Sequence, residues 1–346
     1  MKLIIVCPPL AGNGGIETVL VKFVNFFSKK YDVSIILVND PKNKVWLKQI
    51  DSHVQININN FTKLQKIKFL MKLFVQGKKD DTFIILKTSY VQLACLIRKY
   101  FLKKYKVISW IHFYINKNQA TKLKNADQNW AISSNIKQSL LEAKIPSEKI
   151  KLIFNPVSKN NKLLLPKDDK FKINLVYIGR IQYLGQKNLQ ELLHAVKILK
   201  NVKLDIYGSG EQEDINLCKR FCDINNLNDR IIWHGWFKDP WKELKYSPSA
   251  IVLTSKIEGF PMVILESLSR GIPVLVSRFE GYEDIVIENE NGMTYSVGNL
   301  QMLVSQVKKL ESKKFDANSI QSSIERFYDK KYYSKLDKIL NNINQK

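Results

Sequence analysis

Hydrophobic and polar positions follow two alternating rhythms along this chain. Short runs rich in β-branched residues, KLIIVC (2–7), DVSIILV (32–38), FIIL (83–86), VISW (107–110), NWAIS (129–133) and KLIF (151–154), read as strands. Between them, segments such as 16–29, 89–104 and 134–144 carry apolar residues at helical spacing. The strand runs are continuously apolar, which predicts a parallel sheet covered on both faces. A polar stretch bounded by prolines, PVSKNNKLLLPKDDK (156–170), predicts a linker. The rhythm then restarts with INLVYIG (173–179), KLDIYG (203–208), RIIW (230–233), AIVLTS (250–255) and PVLVS (273–277). The expected architecture is α/β, with two doubly wound, Rossmann-like parallel-sheet domains facing a cleft. Their expected bounds are 1–165 and 166–324, with ligands beyond the carboxyl ends of the strands. A last helix, about 325–346 and carrying Phe327, Tyr328, Tyr332 and Tyr333, is expected to pack back on the first domain.

Length agrees with this division, because 346 residues exceed what one core supports. No apolar run approaches the roughly 18 residues of a membrane span. The opening MKLIIVCPPLAGNGG reads as a buried first strand rather than a signal peptide, so a cytoplasmic protein is expected. Four cysteines are too few for a disulfide framework. Cys218 and Cys222 share a helix face with His234 nearby, but zinc needs more ligands, and core cysteines are the expectation.

Charge changes the picture. Residues 1–165 hold 28 Lys/Arg against 9 Asp/Glu, a balance of +19 out of the total +23. The first half is therefore expected to face something negative: anionic lipid, an anionic acceptor or nucleic acid. In TKLQKIKFLMKLFVQGKK (62–79), Leu64, Ile67, Met71 and Phe74 lie at helical spacing among Lys63, Lys66, Lys68, Lys72, Lys78 and Lys79. A second basic block, RKYFLKKYK, follows at 98–106. Either the stripe packs on the first domain with its lysines solvated, or the lysines draw that domain to an anionic membrane.

Three places carry candidate chemistry. Gly12-Asn13-Gly14-Gly15 follows the first strand and opens a helix, a phosphate-binding geometry or a plain turn. It matches neither the dinucleotide fingerprint nor the P-loop. Tyr177-Ile178-Gly179-Arg180 ends a strand, and Gly185-Gln186-Lys187-Asn188 opens a helix. Arg180 and Lys187 fit a diphosphate clamp, or are two solvated cations. The third place is Glu258-Gly259-Phe260-Pro261-Met262-Val263-Ile264-Leu265-Glu266, where a helix is expected to begin near Pro261. It sets one carboxylate at a helix mouth and another about one and a half turns in.

Glu258 and Glu266 resemble the E-x7-E element of retaining glycosyltransferase family 4, a family of GT-B fold. Gly14-Gly15, His112, Asn155-Pro156, Gly179-Arg180, Lys187-Asn188, Gly208-Ser209-Gly210, His234-Gly235 and Glu280-Gly281 follow in the family's order. GQKN, SKIEGFPMVILESLSRGIPV and ERFYD (325–329) look most like the lipopolysaccharide core 1,6-galactosyltransferases, with capsule-building relatives close behind. The resemblance implies that Gly14 and Gly15 approach the donor diphosphate and that His112 contacts the donor sugar. Arg180 and Lys187 would hold the diphosphate. Glu258 would bind sugar hydroxyls, helped by backbone at Gly259, Phe260, Pro261, Met262 and Val263. Glu266 would bind the ribose, and Gly235 with Trp236 the base. The implied activity is retaining hexosyl transfer, best from UDP-galactose, onto a glycan or lipid-linked glycan at the inner membrane face. No metal or other cofactor is expected, since no Asp-x-Asp motif occurs. A nucleotide-sugar epimerase, a nicotinamide oxidoreductase and a nucleic-acid-binding protein are the rivals, and no nucleic-acid partner is expected.

Overall fold

The computed structural model describes residues 1–12, 14–168 and 170–344. The chain divides into two compact units, Met1–Pro156 with the segment from Lys330 onward, and Val157–Asp329.

Unit 1 is built on β1 (Lys2–Cys7), α1 (Gly15–Phe27), β2 (Asp32–Leu37), β3 (Gln55–Ile58), α2 (Lys63–Gln76), β4 (Asp81–Ile85), α3 (Thr88–Tyr100), β5 (Lys106–Ile111), α4 (Lys117–Thr121), β6 (Gln128–Ala131), α5 (Ser134–Glu142) and β7 (Ile150–Leu152). The strands form a seven-stranded sheet in the order β3-β2-β1-β4-β5-β6-β7. Every pairing is parallel, and Ile5 in β1 stands opposite both Ile35 and Ile84. The apolar runs of the sequence are explained by this placement: Leu3, Ile5, Phe83, Ile84 and Val107 have no exposed surface.

Unit 2 repeats the scheme with β8 (Ile173–Ile178), α6 (Leu189–Ile198), β9 (Val202–Tyr207), α7 (Gln212–Ile224), β10 (Ile231–Gly235), β11 (Ala250–Leu253), α8 (Met262–Leu268), β12 (Val274–Ser277), β13 (Gly292–Tyr295), α9 (Leu300–Lys309) and α10 (Ala317–Ser323). Its six-stranded sheet runs β10-β9-β8-β11-β12-β13. Leu175, Leu204, Ile206, Leu192, Leu193 and Leu303 form the centre of its core.

Three sequence expectations change. The boundary lies at Pro156/Val157 and not at 165, because the polar stretch is no free linker. Val157 pairs with Tyr328, the Leu163 amide donates to the Arg270 carbonyl, and the Ser247 amide donates to the Pro166 carbonyl, so the stretch is fastened along unit 2. The C-terminal helix is also interrupted. Glu325–Phe327 forms a 3-10 turn, and α11 starts only at Asp329 and runs to Asn344. Phe327 and Tyr328 therefore stay with unit 2. Tyr333 stacks on Phe26 of α1, with ring centroids 4.3 Å apart. Finally, the expected stripe on α2 does not act as one face. Phe74 is buried beside Leu70, whereas Leu64, Ile67 and Met71 are 63%, 45% and 43% exposed.

All four cysteines are free and buried. Burial pushes the Cys95 and Cys222 thiols up to about 11, so they stay protonated near neutral pH.

Candidate functional site

Where the strand order of a parallel sheet reverses, the loops leaving the two strands at the reversal part, and a crevice opens beyond their carboxyl ends. In unit 2 the reversal falls between β8 and β11, which pair directly. The loop after β8 carries Arg180 and Lys187, and the loop after β11 carries Glu258. Two stretches that are 71 residues apart in the chain thus meet. Lys187 Nζ lies 2.6 Å from Glu258 Oε1, and the side chains are only 16% and 8% exposed.

Hydrogen bonds stitch these loops together. The Gln186 side-chain amide donates to the Ile257 carbonyl (2.7 Å), and the Lys256 amide donates back to the Gln186 carbonyl (2.8 Å). The Thr254 hydroxyl donates to the Lys187 carbonyl (3.0 Å). Arg180 is exposed, and its carbonyl accepts the Tyr177 hydroxyl (2.7 Å). A Cβ on Gly208 would fall 1.8 Å from the Gly179 carbonyl oxygen, so glycine is required where the ends of β8 and β9 close on each other.

The other carboxylate has its own support. Glu266 is half-buried in α8, and its Oε2 accepts the Trp241 indole N–H at 3.2 Å. The Arg270 guanidinium lies over the same indole, 4.5 Å from the ring centroid, and donates to the Glu266 carbonyl (2.9 Å). Of the residues between the two glutamates, Phe260, Pro261 and Met262 are buried, and Phe260 packs on Phe327 with centroids 5.6 Å apart. Their side chains serve the core, which leaves their backbone for a ligand. Gly259 and Val263 are half-buried, and Pro261 caps α8 instead of opening its first turn. Gly235 closes β10 with φ 79°, and Trp236 beside it is exposed.

His234, weighed above as a zinc ligand, is committed elsewhere. Its Nε2 lies 2.6 Å from Asp205 Oδ1, and its ring stacks on Tyr207 at 4.2 Å. Among the described residues, no cluster of three or more His, Cys, Asp or Glu side chains could hold a metal ion.

In unit 1 the strand order reverses between β1 and β4, and the glycine turn follows β1. Asn13 lies outside the described residues. Gly14 caps α1 and Gly15 begins it. Glu17, buried in the first turn, accepts the Gly12 amide at 2.6 Å and the Gly14 amide at 3.0 Å. Those two N–H groups, which the sequence left open for a phosphate, are engaged within the chain. His112 follows β5, buried, with its ring 4.7 Å from Trp110. Its Nε2 has no hydrogen-bond partner among the described residues. Burial pushes its pKa down to about 3, so the imidazole is neutral at pH 7 and acts as a hydrogen-bonding group. A buried polar atom left unpaired costs free energy, so the unpaired Nε2 calls for a partner such as a ligand or a water.

Gln186, Thr254, Trp241 and Tyr177 are the supporting residues that sequence reading did not assign. Gln186, Thr254 and Trp241 act on partners whose nearness only the fold creates, while Tyr177 reaches the Arg180 carbonyl three residues on; Gln186 and Tyr177 carried a signal through their places in GQKN and YIGR.

Two parallel-sheet units, each with a switch point beyond which a ligand can bind, define a pair of Rossmann-like folds. The comparisons with known proteins are more specific. Residues 159–327 match the family Glycosyl transferases group 1. The chain is 31% identical to the lipopolysaccharide 1,6-galactosyltransferase of Escherichia coli (strain K12), with 98% of each chain covered. It superposes on the apo form of the lipopolysaccharide outer core galactosyltransferase WaaB with TM-score 0.84, 28% identity and 99% of each chain covered. The fold is also that of Anabaena Alr3699/HepE in complex with UDP-glucose, at TM-score 0.78 and 16% identity, covering 99% of this chain and 100% of that one. The chain belongs to the group 1 glycosyltransferases, and its fold is GT-B. Hexosyl transfer is thereby favoured over the epimerase and oxidoreductase readings.

Two outcomes follow. Glu258→Gln keeps the shape of the side chain but removes its charge, and should lower transfer by about 10²–10³-fold, the usual loss for one preorganised group. Wild-type turnover by the folded variant contradicts the assignment. The second concerns pH. The His112 pKa is depressed in the fold, so between about 6.5 and about 3 the unfolded chain binds a proton that the folded chain does not. This contribution to stability is complete above about pH 6.5 and shrinks as pH falls through that window. Melting temperatures of wild type and His112→Gln at pH 7 and pH 5 should show the smaller acid loss in the variant; equal losses would exclude His112 as the source.

Proposed function

We propose that this protein is a retaining, metal-independent galactosyltransferase of lipopolysaccharide core assembly, moving galactose from UDP-galactose to a lipid-linked glycan. The observation that carries the donor site is the desolvated Lys187–Glu258 pair at the switch point of unit 2. Negative charge grows on the leaving phosphate as the glycosidic bond opens toward an oxocarbenium-like transition state. Lys187 and Arg180 supply fixed positive charge there, in place of a metal ion. Glu258 holds Lys187 in place and accepts hydrogen bonds from donor-sugar hydroxyls. Neutral His112 contributes a hydrogen bond to the sugar through the atom left unpaired in the fold. Glu266, its carboxylate held by Trp241, takes the ribose hydroxyls, and Gly235 with Trp236 takes the base. The acceptor hydroxyl attacks from the face the phosphate is leaving and gives its proton to a phosphate oxygen. No protein nucleophile enters. The choice of galactose is supported by the full-length likeness to a lipopolysaccharide 1,6-galactosyltransferase.

With purified full-length protein and a truncated core acceptor, UDP-galactose should give α-linked product faster than UDP-glucose or UDP-N-acetylglucosamine, and EDTA should leave the rate intact. Turnover with a GDP- or ADP-sugar alone would overturn the donor. A rate lost in EDTA and restored by magnesium or manganese would overturn metal independence.

The acceptor side is proposed to work at the inner, anionic face of the membrane, with no nucleic-acid partner. Among the described residues no helix is long and apolar enough to cross a membrane. The surface of α2 instead presents Leu64, Ile67 and Met71 outward among Lys63, Lys66, Lys68 and Lys72. At the end of α3, Tyr100, Phe101 and Leu102 are 75%, 55% and 85% exposed, flanked by Lys99, Lys103 and Lys104. Exposed apolar side chains ringed by cations suit an anionic interface, where each lysine contributes up to about 1 kcal/mol. The protein should sediment with vesicles containing anionic lipid, not with neutral vesicles, and be released by salt. Charge reversal at Lys66, Lys68 and Lys72 should weaken this but spare transfer to a soluble acceptor. Equal partitioning onto both vesicle types would rule out electrostatic docking.

A further inference from the structure

Asn188, directly after Lys187, stands in the left-handed region at φ 50°, ψ 43°. Residues other than glycine adopt that conformation rarely, asparagine more readily than most. It occupies the N-cap of α6, yet its side chain caps nothing on the helix. Instead its Nδ2 donates to Glu191 Oε2 at 2.7 Å, and the Tyr295 hydroxyl donates to the same oxygen at 3.0 Å. Asn188, Glu191 and Tyr295 are all buried. Burial raises the pKa of the Glu191 carboxyl above its ordinary value. A left-handed backbone and a desolvated carboxylate therefore sit side by side in one helical turn. A first-turn glutamate left in solvent would favour the helix dipole without the cost of desolvation. Left-handed residues and buried polar groups of this kind persist where the surroundings hold a functional group in place.

The group held here is Lys187. At its own position the Thr254 hydroxyl takes its carbonyl, and Gln182 Oε1 accepts its amide at 3.4 Å. One residue later the left-handed turn directs the chain into α6 and the core.

We propose that Glu191, with Asn188 and Tyr295, is a positioning residue of the donor site: the buried hydrogen bonds to its carboxylate lock the left-handed turn that aims Lys187 at Glu258. This rests on the reading of Lys187 and Glu258 as donor-site residues. The three do not touch the donor; they act through the lysine.

The experiment compares Glu191→Leu, which removes the acceptor oxygen, with Glu191→Gln, which keeps one for both donors. Tyr295→Phe deletes a single hydrogen bond and serves if the leucine variant does not fold. The first measurement needs no donor. Melting temperatures of Lys187→Met, Glu258→Gln and the double variant should be non-additive in the wild-type and Glu191→Gln backgrounds. They should become additive with Glu191→Leu and partly so with Tyr295→Phe. Full coupling in the Glu191→Leu background, or in Tyr295→Phe where only that variant folds, overturns the proposal. The second measurement is kinetic, with UDP-galactose. Glu191→Leu should lower kcat/KM by about tenfold to a hundredfold, as misplacement of a catalytic group does. Glu191→Gln should recover most of that loss, and the loss should vanish in a Lys187→Met background. An equal loss with and without Lys187 assigns Glu191 a general structural role and overturns the proposal. If wild type turns over no UDP-sugar, the donor reading fails, and the melting cycle alone decides the positioning.

Discussion

A lysine and a glutamate held 2.6 Å apart and almost out of water set the terms for the rest of unit 2. Removing two charges from water costs several kcal/mol per ion, and their mutual attraction returns that only with good geometry and further hydrogen bonds. A well-packed apolar pair of the same size would stabilise the fold as well or better. The pair is thus poorly explained as a stabiliser and well explained as a preorganised site. Its lysine is held in place before a ligand arrives. Supporting contacts follow from that need: Thr254 on the lysine carbonyl, Gln186 tying the two loops, and Glu191 and Tyr295 behind Asn188.

Sheet topology determines where such a pair can form. A right-handed crossover carries successive strands one way across the sheet, and only a reversal of direction parts two neighbouring loops. Each unit has one reversal, at β1/β4 and at β8/β11. The two are used differently. In unit 2 the loops bring opposite charges together. In unit 1 the turn after β1 closes on its own helix, because Glu17 takes the Gly12 and Gly14 amides. The carboxylate already supplies what a bound anion would have supplied to those two groups, whereas His112 Nε2, after β5, is left without a hydrogen-bond partner among the described residues.

What could be read from the sequence follows the same physics. Central strands such as Leu3–Cys7 and Leu175–Tyr177 are buried on both faces and announce themselves as apolar runs. Two of the edge strands, β3 and β13, do not. Gln55–Ile58 is largely exposed, and Gly292–Tyr295 opens with a glycine and carries a threonine, so neither shows an apolar run. The polar composition of 156–170 suggested a linker because hydrogen bonds from its backbone to Arg270 and Ser247 leave no trace in residue type. Among candidate site residues, Glu258, Arg180 and Lys187 were legible as types at loop positions, and Glu266 as a carboxylate inside a helix. The pairing of Lys187 with Glu258 was not, since nothing at either position specifies a partner 71 residues away. Trp241 and Tyr295 were invisible for the same reason: an aromatic residue reads as core until the group its polar atom touches is known.

The two halves also differ in how they treat their cations, and this gives the charge imbalance a meaning beyond composition. In unit 2 the basic side chains near the sheet are matched. Lys203 lies 3.2 Å from Asp205, Lys187 meets Glu258, and Arg270 is stacked on Trp241. On α2 of unit 1, Lys63, Lys66, Lys68 and Lys72 have no ion pair among the described residues, and Leu64, Ile67 and Met71 stand exposed between them. Ordinary solvated lysines account for the charge but not for the apolar residues, and ordinary scattered surface leucines account for neither their spacing nor their neighbours. Helix propensity does not require the arrangement, because like charges at Lys68 and Lys72 are four residues apart and repel. A surface that leaves charges unpaired and apolar groups wet in the same place suits an environment negatively charged at its face and apolar just beneath, and that match is what supports the anionic bilayer proposed as its partner.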